Sequence, residues 1–303
     1  MNNQGTFTIS LDCEGKWGVA DHLSGICNKI NDRSLSEVYS YIYDALNFND
    51  IKVTAAFTSL FSVELNVINS YYDQIKEFRD QGYSWFSPIV DFIYNEDYDG
   101  WIGEDFFKRA VNDGHEIGWH GSTHHSLGNL TQEKIIDFEL KIAFDIASLN
   151  LIKLKSLVFP RNEIGHIDKF EVSGFNFYRN FQHEKNNSKF LKYTRVLDEF
   201  NIFKKSQIFD NLENLNKFKK LPSGYFLNWS SGPRGLVPDE VTIRRWLSIL
   251  NHAADNGGHV HLWFHPHNFI TAPRMKRVFS IILMEASRLI KSGRLVNKKM
   301  SDF

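Results

Sequence analysis

Short β-rich runs and amphipathic helical stretches alternate along most of this chain, which confines the fold to βα units around a parallel sheet. Thr6–Leu11 (TFTISL), Val53–Phe57 (VTAAF), Glu116–Trp119 (EIGW), Val158–Phe159 and Val260–Phe264 (VHLWF) read as strands. Leu35–Leu46, Glu104–Asp113, Gln132–Asn150, Val241–Asn256 and Lys276–Lys291 read as helices. Within Gln132–Asn150 the apolar residues fall at 135, 136, 138, 140, 142, 143, 146, 147 and 149, close to helical spacing. Gly114 and Gly293 stop the helices that precede them. At 303 residues, 42% apolar and 15% aromatic, the chain can bury a large core, and wholesale disorder is excluded. We expect an α/β fold in a single domain, 1–303, because α/β barrels commonly reach this length undivided. Residues 62–103 and 176–235 fit the alternation poorly and look like insertions over the ligand face of the sheet.

Charge and cysteine content narrow the function. Lys and Arg number 35 against 36 Asp and Glu, a net charge of -1, where a general nucleic-acid binder needs a basic surface. Two cysteines, Cys13 and Cys27, do not make a disulfide scaffold. The opening MNNQGTFTISLDCEG has no basic region followed by an apolar one, and the apolar run at 278–284 is too short to span a bilayer. The expectation is therefore a cytoplasmic protein without a transmembrane segment; a soluble enzyme can still act on lipid-linked substrates.

Parallel sheets bind ligands beyond the C-terminal ends of their strands, and three groups of chemically capable residues stand there. Asp12 and Glu14 end the first strand two residues apart, so both point to one face while Cys13 points to the other. His120 and His124 follow the EIGW strand four residues apart; one helical turn would bring both imidazoles to one side, which suits a zinc-type divalent metal. His265 follows VHLWF, with His261 and His267 nearby. Taken singly, the carboxylates can be a solvated strand end and the histidines hydrogen-bonded structural residues. Their convergence at one end of a barrel is hard to reconcile with purely structural roles.

At these residues the sequence resembles the polysaccharide deacetylase family, the NodB-homology carbohydrate esterases. GHEIGWHGSTH at 114–124 is similar to the family's His-x-x-x-His motif and is the most specific match. SLDCEG resembles its opening Asp-Asp motif, VTAAF its second strand, FPRN at 159–162 its arginine motif, and WFHPHN at 263–268 its closing histidine motif. SGRLVNKKMSDF resembles its final strand and short helix. The resemblance implies a distorted (β/α) barrel, one metal (Zn2+, or another divalent transition metal such as Co2+), and hydrolysis of an N-acyl or O-acyl group on a sugar. Carried over residue by residue, Asp12 matches the general base, His120 and His124 two metal ligands, Arg161 the arginine holding the base, and His265 the general acid. This chain departs from the family in reading Asp-Cys-Glu. By comparison with members that carry Asp-x-Glu, Glu14 is the third ligand and a Cys13 thiolate the alternative. His125 replaces a frequent proline, and no match to the family's Asp-containing fourth motif is present, so nothing in the sequence orients His265.

Through that resemblance the chain reads as a hydrolase of C–N bonds other than peptide bonds, a sugar N-deacetylase in surface polysaccharide or glycan-precursor metabolism. Its partner would be an acetylated sugar or oligosaccharide, nucleotide- or lipid-linked, and not a nucleic acid. The oxyanion would meet a backbone N–H in the Asn162–Ile164 turn. Trp17 and Trp229, in loops beside the motifs, are expected to contact substrate, while Trp119 and Trp263, on strands, are expected in the core. Two other functions compete: a metal-free, allantoinase-type amidohydrolase acting on a small non-sugar C–N bond, and a catalytically inactive carbohydrate-binding relative. Nothing in the sequence fixes the oligomeric state.

Overall fold

The structure, a computed structural model, describes residues 4–22, 28–180, 200, 218–230 and 232–303. Among the described residues nine strands form one sheet: β1 (Gly5–Cys13), β2 (Thr54–Phe57), β3 (Glu116–Trp119), β4 (Ser156–Val158), β5 (Phe177–Asn180), β6 (Lys219–Pro222), β7 (Tyr225–Phe226), β8 (His259–Phe264) and β9 (Leu295–Asn297). Their order is β6-β5-β4-β3-β2-β1-β8-β7, with β9 beside the start of β1, and all these pairings are parallel. β1 is central and buried along nearly its whole length, as a strand covered on both faces must be. β6 and β7 are consecutive in the chain yet lie at opposite ends of the sheet, so the sheet curls into a distorted (β/α) barrel with its seam at residues 223–224. His261 Nδ1, on β8, bonds the Pro222 carbonyl of β6 across that seam at 2.9 Å.

The longer helices Asp32–Phe48, Glu104–Asn112, Glu133–Leu149, Asp239–Asn256 and Met275–Lys291 have the expected positions, with ends shifted by at most three residues. Asn31 sets the first by a capping box: its side chain accepts from Ser34 N at 2.8 Å, and its own N–H donates to Ser34 Oγ at 3.0 Å. On Glu133–Leu149 the anticipated apolar positions are buried, except Leu149, which is exposed. A carboxylate, Glu139, is buried among them.

The two segments expected as insertions differ in outcome. Residues 62–103 lie between β2 and the helix Glu104–Asn112 and form short helices, Leu65–Ser70, Tyr72–Asp80 and Ser87–Tyr94, with loops between them. In 176–235 the expectation of an insertion is corrected, because β5, β6 and β7 are strands of the sheet itself. The Lys/Asn-rich composition around them hides three strands of two to four residues each. Residues 181–199 and 201–217 of that segment lie outside the described residues.

Two buried histidines tie the fold to pH. His259 Nδ1 contacts Thr6 Oγ1 at 3.0 Å, and burial, with some help from Lys298, pushes the pKa of His259 down to about 3. Burial, then Lys52, lowers His115 to about 4. Both are neutral in the fold, whereas the unfolded chain protonates histidine near 6.5. Unfolding therefore takes up protons below that pH, so this contribution to stability is complete above about 6.5 and is lost as the pH falls towards 4. Urea unfolding between pH 7 and 4 should show this slope in the parent protein and a flatter one in His259→Asn. Equal slopes would remove His259 from the account.

Candidate metal centre and active site

β1 ends with side chains alternating between core and site. Cys13 turns into the core, where burial raises its thiol pKa well above the ordinary value, and Tyr39 hydrogen-bonds it there. Asp12 and Glu14 turn the other way, beyond the C-terminal edge of the sheet, and both are buried. Glu14 needs Gly18 beside it, since a Cβ there would lie 2.1 Å from the carboxyl.

His120, just after β3, and His124 close on Glu14 from one side. His120 Nε2 lies 3.0 Å and His124 Nε2 2.8 Å from the same oxygen, Glu14 Oε2. The ligand atoms of these three buried residues all fall within 4.8 Å of one another, the only such group of His, Cys, Asp or Glu among the described residues. His120 Nδ1 is 2.8 Å from the Val158 carbonyl. A carbonyl only accepts, so Nδ1 donates that bond, and Nε2 is the nitrogen turned to Glu14, the orientation in which it could serve a metal. His124 Nδ1 has no hydrogen-bond partner among the described residues. Two imidazole nitrogens and a carboxylate oxygen match the donor set of catalytic zinc sites, and their separations approach the edge of about 3.3 Å expected for a tetrahedron with 2.0–2.1 Å bonds. The residues present fit a divalent transition metal.

The segment joining the histidines is not the helical turn that a spacing of four suggested. Residues 120–128 form an irregular loop in which Gly121 has φ +72° and His124 φ +59°. A Cβ at Gly121 would meet Pro160 at 2.7 Å, so the loop packs directly on the turn after β4.

Asp12 is gripped by an arginine that sequence reasoning missed. Arg179, on β5, donates Nη1 to Oδ1 at 2.6 Å and Nη2 to Oδ2 at 2.7 Å, both partners being buried. Burial works against the Asp12 charge, but Arg179, and after it His120, prevail and hold the carboxyl below its ordinary pKa. Arg179 Nη1 also donates to Ser10 Oγ at 3.0 Å, and the guanidinium lies 4.3 Å over the ring of Trp263. Arg161, expected in this role, does not hold Asp12. Its backbone, at φ +58° in the turn after β4, directs the side chain outward to Asp21 at 2.6 Å and over the ring of Trp85. The readable signal for Arg179 was the alternation in FYRN, which puts Phe177 and Arg179 on one buried face.

Burial also opposes ionisation of Glu14, yet the imidazoles of His124 and His265, and after them His120, hold its pKa well below the usual range. His265 Nε2 stands 3.7 Å from both Asp12 Oδ2 and Glu14 Oε1. Asn268 Nδ2 lies 3.4 Å from His265 Nδ1, on the side where the sequence offered no orienting group. His267 Nδ1 comes within 3.8 Å of Glu14 Oε1, and burial lowers its pKa to about 4.

One further expectation, Trp17 in contact with substrate, is corrected. Trp17 is fully buried: its Nε1 donates to the Trp101 carbonyl at 2.9 Å, and its ring meets Trp101 and Phe92 edge-on. Aromatics from 62–103 cover it, which its position in a glycine-flanked loop did not reveal. Trp119 and Trp263 are both buried as expected, Trp263 with the Arg179 guanidinium over its ring. Trp229 is half-buried and donates to Thr271 Oγ1 at 2.9 Å, three residues beyond Asn268. In the turn proposed for the oxyanion, Asn162 N and Glu163 N already donate to the Phe159 and Pro160 carbonyls at 3.0 and 3.1 Å.

Comparison with known proteins agrees with the motif resemblance. Residues 29–161 match the profile of the family described as polysaccharide deacetylase, a span that includes His120, His124 and Arg161. A search of curated proteins returns no match. Among solved structures, a protein from Mycobacterium smegmatis assigned to the polysaccharide deacetylases is 12% identical, with a TM-score of 0.53 over 98% of this chain and 94% of that one. A family 4 acetyl xylan esterase from Clostridium thermocellum, in complex with a cobalt ion, is 12% identical, covering 98% of this chain and 89% of its own at a TM-score of 0.46. A carbohydrate esterase family 4 pseudoenzyme from Bacillus anthracis is 11% identical, covering 100% of this chain and 66% of its own at 0.42. The Mycobacterium structure shows that the fold is that of the family the motifs resemble.

The new place of Trp17 has a measurable consequence. Trp17→Ala should lower the unfolding free energy by about 3–5 kcal/mol, as truncation of a buried tryptophan does. Urea unfolding reads it; a stability equal to that of the parent would return Trp17 to the surface.

Proposed function

We propose that this chain, whose profile match, fold and motif residues all point to the polysaccharide deacetylases, is a metal-dependent hydrolase that removes an N-acyl group, acetyl, from a sugar. The observation that carries this is the pairing of two units beyond β1: a buried Glu14–His120–His124 donor set, and beside it Asp12 clamped by Arg179. A carbohydrate-binding surface needs neither a buried base held ionised nor a histidine facing it. The substrate class is an acetylated sugar or oligosaccharide, free or joined to a nucleotide or lipid, in glycan-precursor or surface-polysaccharide metabolism.

Glu14, His120 and His124 would hold the metal, and zinc or cobalt bound there would supply Lewis acidity towards the attacking water and the acyl oxygen. Asp12 accepts the proton of that water; Arg179 fixes the carboxylate with two parallel bonds and keeps it unprotonated at neutral pH. His265 carries the other proton transfer. Its Nε2 faces the carboxylates, with Asn268 beside Nδ1 on the other side of the ring, and as an imidazolium it would give the Nε2 proton to the departing amine.

Two experiments test these assignments. Elemental mass spectrometry should find about one zinc or cobalt per chain in the parent protein and none in His120→Ala/His124→Ala. The loaded parent should release acetate and an equivalent of free amine from N-acetylglucosamine oligomers or nucleotide-linked N-acetylglucosamine. Metal without acetate release from any of these would favour the inactive carbohydrate-binding reading, and absence of metal after reconstitution would favour the metal-free amidohydrolase. Separately, Arg179→Met should lower kcat by about 100-fold or more, since a misplaced general base forfeits that much, whereas Arg161→Ala should leave kcat near the parental value. The reverse pattern would restore Arg161 to the base.

A further inference from the structure

The loop between the two histidine ligands has no regular secondary structure, so each of its buried polar groups needs an identified partner. His120 N donates to the Phe57 carbonyl at 2.9 Å. The carbonyls of Gly121 and Ser122 accept from Ser59 N at 2.9 Å and Leu60 N at 3.0 Å. The Thr123 carbonyl accepts Trp85 Nε1 at 3.0 Å. The N–H groups of Ser122 and Thr123 meet no backbone oxygen among the described residues. Glu139 takes them instead. Its Oε2 accepts from Ser122 N at 2.5 Å and from Thr123 N at 3.1 Å, and its Oε1 accepts from Thr123 N at 3.2 Å and from Thr123 Oγ1. Ser122 Oγ returns the tie by donating to the Glu139 carbonyl at 2.6 Å.

Glu139 is fully buried on the apolar face of helix Glu133–Leu149, and no Lys or Arg forms an ion pair with it among the described residues. A carboxylate without a cation partner in such a place is costly. An apolar residue would pack on the helix at no such cost but would leave two buried N–H groups without acceptors. We infer that Glu139 is a positioning residue for the metal centre: it supplies the hydrogen bonds a helical turn would have made and so fixes His120 and His124 on one donor geometry. It touches neither histidine's reacting atoms nor substrate, and acts through residues 121–123.

This inference rests on the reading of Glu14, His120 and His124 as metal ligands, and the test separates the two. Cobalt(II) affinity of the purified full-length protein is measured by competition with a chelator, alongside the visible absorption of the bound ion and the melting temperature without metal. Parent protein that binds no cobalt would end the metal reading itself. Given binding by the parent, Glu139→Gln should weaken affinity by about 10–100-fold, the range seen when a group that orients metal ligands is lost, and should shift the cobalt absorption bands. Unchanged affinity and bands in Glu139→Gln, whatever its melting temperature, would reduce Glu139 to a structural residue and overturn the inference. Should Glu139→Gln not fold, Thr123→Val removes one of the four bonds and keeps the shape. It should weaken cobalt binding by about tenfold, the lower end of that range, and an affinity equal to the parent's would count against the inference in the same way.

Discussion

Two buried carboxylates on one central strand govern the layout of this molecule. Asp12 and Glu14 sit two residues apart at the end of β1, both out of water, where an uncompensated charge is prohibitive. The fold answers each differently. Asp12 receives a permanent cation, the buried guanidinium of Arg179, through two parallel hydrogen bonds. Glu14 receives two imidazoles, which carry charge only when protonated, and a divalent ion would serve that carboxylate better than either. The strand positions follow from this need: β3 delivers His120, β5 delivers Arg179 and β8 leads into His265, all from parallel strands whose C-terminal ends meet at one edge.

The supporting layer is built as carefully as the donors. His120 is oriented by a carbonyl of β4, Arg179 by Ser10 of β1, and Ser10 in turn contacts His261 Nε2 at 2.9 Å while the other ring nitrogen of His261 closes the barrel seam. Burial holds the pKa of His261 well below its ordinary value. Its Nδ1 proton therefore goes to the Pro222 carbonyl, and Nε2 accepts from Ser10. The seam of the barrel and the grip on Asp12 are thus parts of one hydrogen-bond chain. A change at residues 222–224 would be felt at Asp12 through this chain.

How much of this was readable depended on whether the signal was local. The strand ends, the two-residue alternation that separates Asp12 and Glu14 from Cys13, and the long helices all follow from period and spacing. The His120–His124 spacing revealed a pair but not its shape, because a separation of four is shared by a helical turn and by a loop with two left-handed residues. The base-holding arginine was read at Arg161 because FPRN is a compact motif. Arg179 sits on a strand of four residues beside a polar segment, where too few positions alternate to stand out. Trp17 is covered by Trp101 and Phe92, partners more than seventy residues away, and no local feature of EGKWG announces them. Glu139 was visible in principle: it falls on the apolar stripe between 135–136 and 142–143, where a carboxylate conflicts with the pattern and so asks for a reason.

The exposure of the site fixes which way a substrate would enter. The side chains of Asp12, Glu14, His120 and His124 are 2–4% exposed, whereas His265 is 25% exposed and Arg161 39%. In the proposed reaction a small group would reach the carboxylates while the bulk of the ligand stayed at the rim, on the side of His265. In the deacylation proposed above, the acyl carbon would lie inward beside Asp12 and the donor set, and the amine and its sugar outward beside His265. Arg161, released from the base by Arg179, stands at that same rim with Asp21 and the face of Trp85, and Trp85 reaches back to Thr123 in the histidine loop. With Arg179 gripping Asp12 inside the barrel, the Arg161 side chain is left at the mouth, where the proposed substrate would present the group that carries the acyl.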